Sequence, residues 1–285
     1  MHMPVVTYNQ IEVPSFMYGT AWKKDATARL VEEAVDAGFR SIDTANQLIH
    51  YYEEGVGHAL QSLAKRGISR EKLFLQTKFT SVNGQDHRTP YDASANVTTQ
   101  VKQSFESSLK HLHTDYLDSY VLHGPYTRGG LVREDWEVWH EMEAHFAAGK
   151  TRMIGISNVS AYQLTELCSK AKTKPMMVQN RCYASAGWDM EVRQICLDSD
   201  IIYQGFSLLT ANPQVLVDSN VRALAKKYNT GTAQIVFRFA MQVGMLPITG
   251  TTSAKHMQED LTCETFTLEP AEVRQIELIS VQAAR

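Results

Sequence analysis

Cysteine is scarce. The chain has four in 285 residues, Cys168, Cys182, Cys196 and Cys263. No two of them have the spacing of a zinc knuckle or a redox pair, which excludes a disulfide framework and a thiolate metal site as organising features. Isolated thiols in a long chain fit a reducing compartment, and a cytoplasmic protein with four ordinary half-buried thiols is expected. Long apolar runs are also missing. Nothing approaches the roughly 20 residues of a membrane span, and the opening MHMPVVTYNQ has no apolar signal region. Charge of one sign is not in excess either. A net charge of -3 and a pI of about 6.4 argue against nucleic acid or an anionic membrane as partner. No Pro/Gly/Ser-rich linker, low-complexity tract or repeat divides the chain.

What is present is an alternation. With 44% hydrophobic residues the chain can bury one large core, and a single domain over 1–285 is expected. VVTY-NQ-IEVP has the pattern of a hairpin turning at Asn9 and Gln10. MYGTAW, FRSIDTA, LFLQTKF, LDSYVLHG, RMIGIS, PMMVQN, IIYQGFS and MLPITG then have the pattern of strands. Between them lie helical segments: ATARLVEEAVDAG, a stretch from Glu53 to Lys65, NVTTQVKQSFESSLKHLH, WEVWHEMEAHFAAGK, AYQLTELCSKA, MEVRQICLDS, helices near 215–228 and 231–243, and AKHMQEDL. Strands alternating with helices imply a parallel sheet with crossover helices. About eight such units imply an α/β fold of the (β/α)8 TIM-barrel type, with an N-terminal β-hairpin and a short C-terminal tail.

In such a barrel the functional groups collect where strands end. Asp43 ends FRSID, Lys78 ends LFLQTK, His123 ends LDSYVLH, Ser157 and Asn158 end MIGISN, and Gln179 ends MMVQ. Taken singly, each is equally well a capping or loop residue. Taken together they converge on one mouth, where gathering ionisable groups costs desolvation energy unless it serves a purpose.

These residues carry a family resemblance. Asp43-Thr44-Ala45, the Gly55-Val56-Gly57 helix, Thr77-Lys78 and Leu122-His123-Gly124-Pro125 resemble the catalytic motifs of the aldo-keto reductases. HTDYLDSYVLHGP resembles that superfamily's strand-four signature, and MEAHFAAGKTRMIGISNVS its strand-five signature. The resemblance is collinear from the hairpin to AKHMQEDL, and it implies hydride transfer between a nicotinamide cofactor and a small-molecule carbonyl.

The superfamily uses an Asp, Tyr, Lys, His tetrad, and the resemblance assigns Asp43, Lys78 and His123 to three of the places. The tyrosine is less direct, because DTANQLIHYYEEGVG is two residues longer than usual between the Asp and the Gly-Val-Gly helix. Counting forward from Asp43 reaches Leu48, and counting back from Gly57 reaches His50. Tyr51 and Tyr52 are the only phenols in the segment. Family members with the longer loop usually carry their tyrosine directly after a histidine, which favours Tyr51 over Tyr52. Chemically, a carbonyl taking up hydride develops negative charge on oxygen, and a positioned acid stabilises it. Lys78 is expected to lower the tyrosine's pKa, Asp43 to hold Lys78, and a neutral His123 to orient the substrate oxygen.

No GxGxxG follows the first strand, so a Rossmann cofactor site is not expected. The resemblance instead implies that Ser157, Asn158 and Gln179 hold the nicotinamide carboxamide, with Thr20 and Asp43 nearby. Phe206 stands where the family stacks a tyrosine on the ring, and Ser207 and Leu209 would offer backbone groups to the pyrophosphate. At the adenosine end the chain departs from the pattern. Aligned on Glu259-Asp260, the family's Lys becomes Gly250, its Ser Thr251, its Arg His256 and its adenine-contacting Asn Asp260. Loss of an ammonium and a guanidinium weakens 2′-phosphate binding. Thr251, Thr252, Lys255 and His256 could rebuild part of the site at a helix N-terminus. NADPH is the expected cofactor, with NADH or dual use as the alternative.

Trp22, Tyr52 and Tyr126, with His123, are the expected substrate walls. ELISVQAAR is the last segment of the sequence, shorter than the C-terminal loop that covers the pocket in many family members, and an open mouth is expected. A monomer or weak homo-oligomer is expected. Two other functions share the scaffold: a C=N or C=C reductase, and a non-catalytic nucleotide-binding subunit. His140 and His145 are five residues apart, about 140° around a helix, so they do not form an HExxH zinc site and are expected on the surface. No metal is expected. Glu53 and Glu54 are adjacent on a helix and diverge, so they are not expected to form an acid pair but to favour the helix N-terminus electrostatically.

Overall fold

In the computed structural model, which describes residues 5–279, the alternation closes into a barrel. The hairpin comes first: β1 (Val5–Val6) pairs antiparallel with β2 (Glu12–Val13), turning through Gln10 at φ 61°. Eight parallel strands follow. They are β3 (Met17–Gly19), β4 (Ser41–Asp43), β5 (Phe74–Phe79), β6 (Ser119–Leu122), β7 (Ile154–Ser157), β8 (Met177–Arg181), β9 (Ile202–Phe206) and β10 (Met245–Thr249). Each pairs with its neighbours in chain order, and β10 pairs back onto β3. The (β/α)8 architecture with an added hairpin is therefore as expected.

The helices form the outer ring: α1 (Thr27–Ala37), α2 (Glu53–Lys65), α3 (Val97–His111), α4 (Arg133–Ala147), α5 (Ala161–Lys170) and α6 (Met190–Asp198). Then come α7 (Pro213–Leu216), α8 (Ser219–Lys227), α9 (Thr232–Gln242), α10 (Ala254–Leu261) and α11 (Pro270–Glu277). α1 shows how a segment becomes part of that ring. Leu30, Val31, Ala34 and Val35 repeat at helical spacing and are all buried, and Gly38 ends the helix at φ 125°. The helix expected near 215–228 is two helices. Asp218 interrupts it because its carboxylate accepts hydrogen bonds from the Asn220 and Val221 backbone, capping α8. The C-terminal tail beyond residue 279 lies outside the described residues, and with it the expected open mouth.

Side chains alternate along each strand. The outward set, including Tyr18, Ile42, Leu75, Tyr120 and Tyr203, packs beneath the helices. The inward set builds the floor: Met17, Phe74, Met153, Met177, Ile202 and Leu246 form one buried cluster. Val5, Tyr8 and Ile11 of the hairpin pack against it from below, and Tyr8 Oη donates to the Lys174 carbonyl at 2.7 Å. Each fully buried aliphatic or aromatic side chain contributes about 1.5–3 kcal/mol. The floor therefore holds the barrel shut at that end.

Candidate active site

Above the floor the barrel interior turns polar. Asp43 Oδ1 accepts from Lys78 Nζ at 2.6 Å, Gln76 Nε2 at 2.8 Å and Gln179 Nε2 at 3.1 Å. Gln76 and Gln204 exchange amide hydrogen bonds of 2.8 and 3.0 Å, and Gln179 donates to Gln204 at 2.9 Å. Thr20 Oγ1 donates to the Asp43 carbonyl at 2.9 Å. Charge buried this deeply is costly unless paired and hydrogen-bonded, and here it is both. Burial pushes the Lys78 ammonium down from its ordinary pKa, against the pull of Asp43 and Glu53. Gln76 and Gln204 were not identified from the sequence. Their inward place on β5 and β9 follows from strand alternation, but their pairing has no local signature.

The loop after β4 brings Tyr51 to this layer. Lys78 Nζ lies 5.2 Å from the centre of the Tyr51 ring, and the His123 ring lies edge-on to it at 5.9 Å. Tyr52 turns away. It precedes α2 and packs at Gly55, where an added Cβ would lie 2.7 Å from its ring. The expected depression of the tyrosine's pKa is corrected. Burial, and then the Asp43 charge, push the Tyr51 phenol up, because the Lys78 ammonium is already bonded to Asp43 and to the Thr44 carbonyl. The expected neutrality of His123 has a physical basis: burial and the Lys78 charge hold its imidazole down at about 3. His123 Nδ1 is 2.6 Å from Thr80 Oγ1.

Around the mouth the strand ends carry the other expected residues. Ser157 Oγ donates to the Gln179 carbonyl at 2.6 Å, and Asn158 Nδ2 donates to the His123 carbonyl at 2.8 Å. Among the described residues, Gln179 Oε1 and Asn158 Oδ1 accept no hydrogen bond. Two free amide acceptors at adjacent strand ends suit the NH2 of a nicotinamide carboxamide. Phe206 is half-buried and rests on the barrel floor cluster. Trp22, Asn158 and Ser207, which follow β3, β7 and β9, have φ of 64°, 53° and 57°. Left-handed backbone at non-glycine residues is strained, and strain of this kind collects at ligand sites. Trp22 is 67% exposed, with the His50 ring 4.2 Å away; Tyr126 is half-buried on the helix layer. Leu209 packs partly against that layer.

The adenosine end holds two departures from expectation. Lys23, in the loop after β3, donates its ammonium to the Gly250 carbonyl, so a cation stands beside the position where the sequence had lost one. Asp260 does not line the cleft. It is 3% exposed, and its carboxylate accepts from Thr249 Oγ1 at 2.9 Å and Gln234 Nε2 at 3.0 Å. Burial raises its pKa to about 6. Thr251 Oγ1 accepts from the Ser253 N–H, Ser253 caps α10, and Thr252 and His256 are exposed at that helix start. Glu259 pairs with Lys255 at 3.5 Å.

His140 is exposed, as expected, and the surface assignment of His145 is corrected. His145 is half-buried, stacked on Phe105 at 4.1 Å, and Glu141 beside it is buried. Trp139, Met142 and His145 share a face of α4, which the helical period already implied. Glu53 is buried too, whereas Glu54 is exposed. Among the described residues no cluster of His, Cys, Asp or Glu could hold a metal, and no helix is long and apolar enough to cross a membrane.

Residues 15–280 match the aldo/keto reductase family. Glyoxal reductase of Bacillus subtilis is 30% identical over 278 residues, covering 97% of this chain and 92% of its own. The 9,11-endoperoxide prostaglandin H2 reductase of Trypanosoma cruzi is 29% identical, with 96% and 90% covered. An aldo/keto reductase from Brucella melitensis superposes with a TM-score of 0.83 at 26% identity, covering 97% and 99% of the two chains. A Bombyx mori aldo-keto reductase in complex with NADP does so with 0.82 at 25% identity, covering 97% and 92%. The chain belongs to the aldo/keto reductase family and is an NAD(P)H-dependent oxidoreductase.

Proposed function

We propose that the protein reduces aldehydes and ketones to alcohols with NADPH, and that Tyr51 gives the proton. The observation that carries this reading is the nearness of the Tyr51 ring to both Lys78 Nζ and the His123 ring, while Tyr52 packs against α2. A phenol kept protonated by its surroundings is a ready donor to an oxygen gaining negative charge. Lys78, fixed by Asp43, keeps positive charge beside that oxygen as the charge develops. His123 Nδ1 is within hydrogen-bond distance of Thr80 Oγ1; in the tautomer in which Thr80 donates, the neutral imidazole carries its proton on Nε2, which would donate to the substrate oxygen and orient it.

The nicotinamide, when bound, supplies the hydride. Gln179 and Asn158 would hold its carboxamide, Phe206 would stack on its ring, and Ser207 and Leu209 would offer their backbone to the pyrophosphate. Lys23, Thr251, Thr252 and His256 serve the 2′-phosphate, which keeps NADPH ahead of NADH. Trp22 and His50 form a flat wall suited to small or aryl aldehydes, in keeping with the glyoxal and indole-3-acetaldehyde reductases among its relatives. We place the protein in the cytoplasm as a monomer or weak homo-oligomer.

Stopped-flow NADPH oxidation with a panel of aldehydes, ketones and imines tests the reading. Tyr51→Phe is expected to lose nearly all carbonyl reduction while binding NADPH normally, and Tyr52→Phe to stay active. Full activity in Tyr51→Phe would reject the assignment.

A further inference from the structure

Glu53 is the first residue of α2, two residues past Tyr51. An acidic residue at that position ordinarily lies in water and favours the helix dipole. Glu53 instead is 3% exposed. Its Oε1 accepts from Thr77 Oγ1 at 2.5 Å, and its Oε2 meets His111 Nδ1 at 2.8 Å. Thr77 immediately precedes Lys78 on β5, so the pleat sends Thr77 outward to Glu53 and Lys78 inward to Asp43. His111 is the last residue of α3. One carboxylate thus ties the start of α2, the end of α3 and the strand that carries Lys78.

The surrounding packing leaves this junction little freedom. A Cβ on Gly57 would lie 1.8 Å from the His111 carbonyl oxygen, so α2 and the end of α3 abut with no room for a side chain. The Tyr51 hydroxyl has no hydrogen-bond partner among the described residues, and the Tyr51 N–H reaches only the Gln47 carbonyl, at 3.0 Å. The phenol is therefore aimed by its backbone, and its backbone is anchored two residues on. The Glu53 carboxylate in turn favours the charged form of His111 and of Lys78.

We infer that Glu53 is a positioning residue for the reaction: through Thr77 and His111 it sets where Tyr51 stands relative to Lys78. This rests on the reading of Tyr51 as proton donor. The chemistry tolerates little error in that placement, since a misplacement of about 1 Å costs up to roughly 100-fold in rate.

The test uses Glu53→Gln, Thr77→Val, their combination and Thr77→Ser. Glu53→Gln and Thr77→Val are each expected to lower kcat by about 10- to 100-fold. The KM for NADPH, and its Kd by fluorescence titration, stay unchanged. The double variant is expected to be no slower than the slower single one, because both remove the same tie. Thr77→Ser keeps the hydroxyl and is expected to restore most of kcat. Thr77→Val deletes only one hydroxyl, so it carries the test if Glu53→Gln does not fold. The inference is overturned if both variants lose thermal stability but keep kcat within about twofold of the parent, well inside that range. In that case an inactive Tyr51→Phe leaves the proton-donor reading standing. An active Tyr51→Phe removes the donor itself, whatever Glu53 does.

Discussion

Lys78 Nζ lies 2.6 Å from Asp43 Oδ1 at the centre of the barrel, with the lysine side chain wholly buried and the aspartate 5% exposed. Among the described residues, neither charge has an alternative partner of opposite sign within bonding distance.

Breaking that pair from one side is therefore expected to be severe. Asp43→Asn leaves an ammonium buried without its counter-charge, and removing one partner of a buried pair costs about 3–5 kcal/mol. Adding Lys78→Met is expected to recover part of the stability but none of the activity. Urea unfolding at pH 7 of the single and double variants measures this. An Asp43→Asn variant as stable as the parent contradicts it.

Acid stability should depend on His145. Burial and the nearby Lys102 charge hold this imidazole at about 4, below its ordinary value of 6.5. A base with a depressed pKa favours the fold only while neutral. Its contribution is complete above about pH 6.5 and is lost as pH falls toward 4. His123 acts with the same sign, down to about 3. His145→Phe keeps the stack on Phe105 and removes one titrating group. Its Tm is expected to fall less than the parent's between pH 6.5 and 4, with little change at pH 8. Equal slopes for the two proteins would count against the assignment.

Cofactor choice should be open to engineering at the start of α10. A Cβ on Gly250 meets only the Gly19 carbonyl and Lys23 Nζ, each at 3.5 Å, so a side chain fits. Gly250→Lys with His256→Arg adds an ammonium and a guanidinium. A charge-assisted hydrogen bond contributes about 1.5–3 kcal/mol, so the ratio of kcat/KM for NADPH over NADH should rise about tenfold or more. An unchanged ratio would place the 2′-phosphate elsewhere.

Local order was largely legible in the amino-acid sequence, and side-chain partnership was not. The strands and helices followed from periods of two and 3.6, and the strand-end residues Asp43, Lys78, His123 and Gln179 from counting. Asp218 shows the limit of periodicity: one capping side chain divided an apparently continuous helix. Gln76 and Gln204 are 128 positions apart and Lys23 and Gly250 are 227 apart, and no local pattern joins such residues. Glu53 resembles any acidic residue at a helix start until β5 and α3 are placed around it. Tyr51 was favoured over Tyr52 by the resemblance alone, and its nearness to Lys78 became visible only once the loop had a path. The phenol's pKa was misjudged because Lys78 was weighed without the aspartate that already occupies it.

The hairpin beneath β3 has a consequence for proton traffic. With Val5, Tyr8 and Ile11 seated under the methionine-rich floor, the described residues close the barrel at the end opposite the strand-end polar groups. A dinucleotide bound at that rim, as proposed, would lie between bulk water and the Asp43–Lys78 pair. With the floor closed, a cofactor seated there should slow proton exchange between the inner polar layer and bulk water.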